Sequence, residues 1–257
     1  MTLHTLDRGT GVPVVLVHSG GMSARQWRKL VDRLAATHRV VAPDLIGSGE
    51  NPPWPADAPF HFEQDSTELA AIIDALGEPA HLVGHSYGGL LAAIHARRHP
   101  TSIRSLALYD PVAFGVLQDE PDVDALLADA SALVDDAIGG SEAWFERFVD
   151  WWNGNGTWTS MPPPARAPFL RVGRKVYLEV KSLVADRTAA PAYAAIRVPT
   201  LLLTGTRTPL AERRVVQRLA TAIPDARIVE IPEAGHMGPI THADLVNDAI
   251  VRHIEAS

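Results

Sequence analysis

The sequence predicts an α/β fold: a mostly parallel central sheet with helices on both of its faces. Short apolar runs, typical of strands that are buried on both sides, alternate with segments whose apolar residues recur at helical spacing. One long helical insertion interrupts this alternation after the strand that ends near Tyr109. A strand–helix alternation of this kind favours parallel strands joined by right-handed crossovers.

The individual elements follow from these patterns. The predicted strands are residues 12–17, 39–42, 80–83, 103–109, 200–204 and 227–231. One helix is indicated by Trp27, Leu30, Val31 and Leu34, which fall at i, i+3, i+4 and i+7 behind a possible Ser23 N-cap. A second helix carries Leu69, Ile72, Ile73 and Leu76 and ends at Gly77. The last helix has a possible capping pair in Thr241 and Asp244.

The insertion divides the chain into two predicted domains. Residues 1–111 and 197–257 form the core, and residues 112–196 form a helical cap. Because the insertion follows one strand and precedes the next, we expect it above the carboxyl ends of the strands, where open α/β sheets bind ligands. It carries four of the six tryptophans, which as a group could cover an apolar pocket.

Composition excludes several classes of function. The chain has 257 residues, of which 46% are hydrophobic, and a formal net charge of −7, so nucleic acid is not an expected partner. It contains no cysteine, which rules out disulfides and thiolate-bound metals. Neither a leader peptide nor a membrane-spanning run is visible, and we expect a cytoplasmic protein without membrane contact. A homodimer is possible on general grounds, although no residue singles out an interface.

The strongest chemical signal is Gly84-His85-Ser86-Tyr87-Gly88, which lies between a predicted strand and a predicted helix. A strand that turns sharply into a helix holds its central serine in a strained conformation and leaves no room for neighbouring Cβ atoms, so glycines flank it. Such a turn exposes the serine hydroxyl. Ser86 is therefore the candidate nucleophile.

This elbow, the His18-Ser19-Gly20-Gly21 stretch and Ala234-Gly235-His236-Met237-Gly238 together resemble the α/β-hydrolase family over nearly the whole chain. The resemblance implies that His236 is the general base and that the backbone N–H groups of Gly20 and Tyr87 form the oxyanion hole. Ser19 replaces the glycine that usually follows the family's first histidine, which alters the expected loop. His18 itself is expected to brace this loop without a catalytic role.

The acid departs from the family's commonest pattern. The usual Gly-x-x-Asp after the post-cap strand here reads Gly205-Thr206-Arg207-Thr208, and a threonine cannot supply the negative charge that a histidine base needs. Asp110, at the end of the strand that follows the nucleophile helix, is the preferred substitute because some similar family members place their acid there. The alternative is that Asp110 has only a structural role, as the first residue of an Asp-Pro turn. Glu212 is the reserve candidate for the acid.

The resemblance implies a carboxylesterase-like serine hydrolase that cleaves a small to medium apolar ester through an acyl-enzyme. Motifs for metal, nucleotide or dinucleotide binding are absent, so neither a cofactor nor a metal is expected, and the expected partner is a small-molecule substrate. Three alternatives remain open: a meta-cleavage-type C–C hydrolase, a non-hydrolytic lyase or cyclase, and a hydrolase-fold binding or regulatory protein with little turnover.

Overall fold

A seven-stranded sheet in the order β1-β3-β2-β4-β5-β6-β7 organises the computed structural model, which describes residues 3–257. The strands are β1 (Thr5–Arg8), β2 (Pro13–Val17), β3 (Arg39–Pro43), β4 (Ala80–His85), β5 (Ile103–Tyr109), β6 (Thr200–Gly205) and β7 (Ala226–Ile231). Only β1 is antiparallel to its neighbour; β2 to β7 are parallel. The sequence prediction missed β1 because this half-exposed edge strand has no apolar run.

Helices cover both faces of the sheet, as predicted. The α-helices are α1 (Arg28–Leu34), α2 (Phe62–Asp74), α3 (Tyr87–Arg98), α4 (Val123–Ala132), α5 (Glu142–Asn153), α6 (Thr157–Ser160), α7 (Pro163–Val172), α8 (Arg174–Val184), α9 (Leu210–Ala222), α10 (Gly238–Thr241) and α11 (Ala243–Glu255). Val15 and Val17 of β2 share one apolar cluster with α2, α3 and α9. Val14 and Leu16 point to the opposite face and join α1 and α11. The predicted α/β fold class is confirmed.

Two predicted helix caps are wrong in detail. Ser23 precedes a 3₁₀ turn, Ala24–Trp27, and its side chain makes no capping hydrogen bond. The final helix has His242 at its N-cap, because the chain first forms the short helix α10. Thr241 belongs to that helix, and its hydroxyl donates to the carbonyl oxygen of Met237 instead.

Between β5 and β6 the chain forms helices α4 to α8, which pack around an aromatic cluster of their own. Trp144 and Trp158 lie in this cluster with Phe145 and Tyr177. Trp152, in contrast, belongs to the apolar cluster that Val15 and Val17 share with α2, α3 and α9. Within residues 3–257, no helix combines the length and the apolar character that a membrane span requires.

The core buries six histidines whose pKa values lie below the usual range, chiefly because burial disfavours their charged form. They are His18, His81, His85, His95, His236 and His253. Burial lowers the pKa of His18, His81 and His95 to about 4 in each case. These side chains stay neutral in the folded protein at a pH where the unfolded chain would protonate them.

We expect the free energy of unfolding to fall as the pH is lowered from about 6.5 towards 4. In this window the unfolded state binds more protons, and each excess proton changes stability by about 1.4 kcal/mol per pH unit. Three buried carboxyls with raised pKa values, Asp110, Glu179 and Glu212, act in the opposite direction but are fewer. Urea unfolding at pH 7 and pH 5 measures this difference. Equal stability at both values would mean either that the folded protein also protonates these histidines or that the three carboxyls cancel their effect.

Candidate active site

Ser86 lies between β4 and α3 in a strained backbone conformation, with φ 55° and ψ −120°. The turn is possible only because the residues two positions before and after Ser86, Gly84 and Gly88, lack side chains. A Cβ on Gly84 would lie 2.4 Å from the carbonyl oxygen of Gly88, and a Cβ on Gly88 would lie 2.4 Å from that of His18. Strain of this kind costs about 1–3 kcal/mol, and the sharp turn exposes the serine hydroxyl between the strand and the helix.

The structure brings Ser86, His236 and Asp110 into one chain of hydrogen bonds. The Ser86 hydroxyl donates to Nε2 of His236 over 2.9 Å, although 150 residues separate them. With the proton on Nδ1, the ring donates to Oδ2 of Asp110 over 3.3 Å. Burial lowers the pKa of His236 to about 3. The imidazole is therefore neutral at pH 7, which is the form that can accept the serine proton.

Asp110 directly follows β5 and has a positive φ of 43°. Thr208, the residue that stands where the family usually has its acid, donates its hydroxyl to Oδ2 of Asp110 over 2.8 Å. The same Thr208 oxygen accepts from the backbone N–H of Gly205, so its orientation is fixed. Burial raises the pKa of Asp110, and the Thr208 hydroxyl opposes this shift because it binds the ionised carboxylate.

Glu212, the reserve candidate, is fully buried at the beginning of α9. Neither of its carboxyl oxygens has a hydrogen-bond partner among residues 3–257, His236 included. Burial, together with the nearby charge of Asp110, raises the pKa of Glu212 well above its usual range. Glu212 differs from Asp110 in making no contact with the imidazole, and without that contact it cannot act as the counter-charge of His236.

The loop that carries His236 is held by side chains from the sheet. His85 donates from Nε2 to the carbonyl oxygen of His236 over 2.8 Å, and the Tyr109 hydroxyl donates to that of Gly235 over 2.8 Å. The sequence alone indicated no role for either residue in holding this loop. The sequence does contain a signal for these contacts. His85 and Tyr109 are the last residues of their strands and directly precede the candidate nucleophile and the candidate acid.

Trp152 stacks on the His236 ring, with centroids 3.6 Å apart and an angle of 16° between the planes. It reaches the site from α5, in the inserted segment. An aromatic face favours a cation above it, so this contact stabilises the imidazolium that forms when His236 takes a proton. The sequence pointed to four tryptophans in this segment as a group but could not single out this one.

Gly20 and Tyr87 line one small cavity together with Ser86. Tyr87 begins α3, and Gly20 lies in the loop after β2. The free volume is about 30 Å³, which is room for one or two water molecules. As expected, His18 braces the loop: its Nδ1–H donates to the Ser19 carbonyl oxygen over 2.8 Å, and its Nε2 accepts from the N–H of Leu45 over 3.0 Å.

The rest of the cavity is mostly apolar. Val112 and Phe114 follow β5, and Trp151 and Val180 come from the inserted helices. Within this lining Glu179 is the charged side chain. A serine hydroxyl that is hydrogen-bonded to a neutral imidazole in an apolar, water-poor cavity can attack a carbonyl carbon.

The chain is similar to several known proteins. A sequence model described as "Alpha/beta hydrolase family" matches residues 14–249. The chain is 28% identical to a pimeloyl-[acyl-carrier protein] methyl ester esterase of Chromobacterium violaceum, over 99% of both chains. A shorter match, 38% identical over 40% of this chain and 37% of the other, is to a 2-hydroxymuconate semialdehyde hydrolase of a Pseudomonas strain.

Solved structures include a thermophilic esterase from Thermogutta terrifontis with the same fold. Its TM-score is 0.74 at 26% sequence identity, and the match covers 99% of this chain and 93% of that one. A methyl ester esterase and a semialdehyde hydrolase are thus both represented among the relatives.

Proposed function

Because this chain belongs to the alpha/beta hydrolase family, we propose that it is a serine hydrolase that cleaves carboxylic esters with Ser86, His236 and Asp110. The observation that carries the proposal is the continuous hydrogen-bond path from the Ser86 hydroxyl through His236 to Asp110. Three residues from distant parts of the sequence meet in the order that nucleophile activation requires. A mainly structural cluster would not need its serine in a strained turn.

In the proposed reaction, Ser86 Oγ attacks the ester carbonyl while His236 Nε2 takes its proton. Asp110 and the Trp152 ring stabilise the imidazolium, and the backbone N–H groups of Gly20 and Tyr87 bind the oxyanion. Each such donor contributes about 2.7–4 kcal/mol to lowering the barrier. His236 then protonates the leaving alcohol. A water molecule, deprotonated by the same histidine, releases the acid from the acyl-enzyme.

The cavity favours a small to medium apolar acyl group. Its walls are mostly apolar, and residues 112–196, which supply many of them, act in this proposal as a cap over the core. Since the free volume of about 30 Å³ is too small for an ester, side chains such as Trp152 must move when substrate enters. This requirement would make substrate entry depend on the cap.

Carbon–carbon bond hydrolysis is the second candidate, favoured by the 38% identity to the 2-hydroxymuconate semialdehyde hydrolase over part of the chain. Such a reaction would use the same serine, histidine and oxyanion donors, with a carbanion in place of an alkoxide as the leaving group. A vinylogous diketone and a series of phenyl esters, tested side by side on the purified protein, separate the two chemistries.

Labelling with a fluorophosphonate, which reacts with activated serines, tests the proposal directly. By intact mass, we expect one adduct on the native protein and none on Ser86→Ala. The control Ser160→Ala, which removes an exposed serine, should still carry one adduct. Peptide mapping should place the adduct on Ser86. An unlabelled native protein would overturn the serine-hydrolase proposal and favour a binding or regulatory role.

A further inference from the structure

A charged cluster is buried directly behind the oxyanion loop, where the proposed mechanism does not use it. Lys175 and Glu179 lie one turn apart on α8, and both are at most 2% exposed. Lys175 Nζ donates to Glu179 Oε1 and, over 2.7 Å, to Oδ2 of Asp65 on α2. Buried charges are costly unless they are paired and hydrogen-bonded, so each polar atom of this cluster needs a partner.

Asp65 has all the partners it needs. Besides Lys175, the Tyr87 hydroxyl donates to Oδ2 over 2.9 Å, and the Ile46 N–H donates to Oδ1 over 3.0 Å. Lys175 also lies 4.5 Å from the centre of the Phe60 ring. The single positive charge of Lys175 is therefore balanced by Asp65, and Glu179 adds a second carboxyl to a cluster that is already neutral.

One oxygen of Glu179 remains without a partner within residues 3–257. Its Oε2 is buried, and a Cβ on Gly20 would lie only 2.8 Å from it. Glu179 also lines the cavity that contains Ser86, Gly20 and Tyr87. Glu179 therefore lies against Gly20 at the wall of this cavity with one carboxyl oxygen unpaired, and leaving such an atom unpaired costs about 1–3 kcal/mol.

The protonation state of Glu179 limits what it can bind. Burial, opposed by Lys175 and reinforced by Asp65, raises the pKa of Glu179 to about 7. Both forms are therefore accessible near neutral pH. A hydroxyl can donate to the ionised form or accept from the neutral one, whereas an ether or carbonyl oxygen can only accept.

We propose that Glu179 Oε2 hydrogen-bonds a hydroxyl group on the carbon next to the reacting carbonyl of the substrate, so that the preferred substrates are 2-hydroxy esters. This inference rests on the proposed function, because it places the substrate by the reaction at Ser86. It refines the apolar ester expected from the cavity walls, since the walls accommodate the hydrocarbon part and Glu179 accommodates one polar group. Glu179 is then a residue that determines specificity.

The test compares phenyl 2-hydroxybutyrate with phenyl butyrate, which differ only in the hydroxyl. After correction for their rates of alkaline hydrolysis, we expect the native protein to show a kcat/KM ratio at least about 10-fold in favour of the hydroxy ester. In Glu179→Leu this ratio should fall by about 10- to 100-fold, whereas Glu179→Gln, which keeps a hydrogen-bonding group, should retain most of it. Glu146→Leu, an exposed change on α5, is the matched control.

Two results would overturn the inference: no preference in the native protein, or the same preference in Glu179→Leu. If leucine prevents folding, Glu179→Met replaces it, because an unbranched apolar side chain fills the same space. Fluorophosphonate labelling of each protein distinguishes the possible failures. Labelled Ser86 with an unchanged ratio refutes only the role of Glu179, whereas an unlabelled native protein refutes the proposed function itself.

Discussion

Replacing His236 by alanine is expected to lower kcat for ester hydrolysis by about six orders of magnitude. In the proposed mechanism this imidazole is the only group that accepts the Ser86 proton, and without it the nucleophile is an ordinary alcohol. In serine hydrolases that use a serine, a histidine and an acid together, loss of the histidine alone lowers kcat about as much as loss of all three residues. Activity that remains would come from the oxyanion donors and from binding.

The measurement is the rate of p-nitrophenyl butyrate hydrolysis by the variant, compared with the rate of the uncatalysed reaction. His99→Ala, an exposed histidine at the end of α3, is the matched control and should retain native activity. Fluorophosphonate labelling of His236→Ala should slow in parallel. A loss of less than about 100-fold would show that another base serves Ser86, and the proposed roles would then be wrong.

Asp110→Asn is expected to lower kcat by about four orders of magnitude, whereas Glu212→Gln should change it by less than about three-fold. Asparagine tolerates the positive φ at position 110 and can still accept from Thr208, so the fold should persist. What is lost is the charge that fixes the tautomer of His236 and stabilises its imidazolium. Glutamine, in contrast, resembles the neutral carboxyl that burial imposes on Glu212.

The two variants are best compared by kcat at pH 7 with the same p-nitrophenyl ester, after circular dichroism has shown that both are folded. If Glu212→Gln causes the larger loss, then Glu212 is the acid and the contact between Asp110 and His236 is incidental. Thr208→Ala is a third variant for the same comparison of kcat. It removes one hydrogen bond to Asp110 and should cost much less than loss of the carboxylate.

The sequence predicted the sheet, its buried strands and the position of Ser86 because each depends on local patterns: apolar runs, helical spacing and a glycine-flanked turn. The resemblance to the α/β-hydrolase family also pointed to Asp110 and His236, which the structure brings together. Strand β1 escaped prediction because a short, half-exposed edge strand needs no apolar run.

Contacts across the inserted segment were beyond sequence reasoning. The helices of residues 112–196 have apolar faces that could pack in several ways, so nothing local indicates that Trp152 stacks on His236 or that Glu179 faces Gly20. The role of His85 depends on a loop that lies 151 residues away. Such contacts are fixed by tertiary packing, which one sequence does not specify residue by residue.

Ser86 and Asp110 both have backbone conformations that glycine would adopt with less strain. The consequence is evolutionary. In a lineage that no longer needs the reaction, substitutions at these two positions would improve folding and would therefore spread even without a new function. Descendants that keep serine and aspartate here are thus under continuing selection for chemistry, and their loss would be among the earliest marks of a change of role.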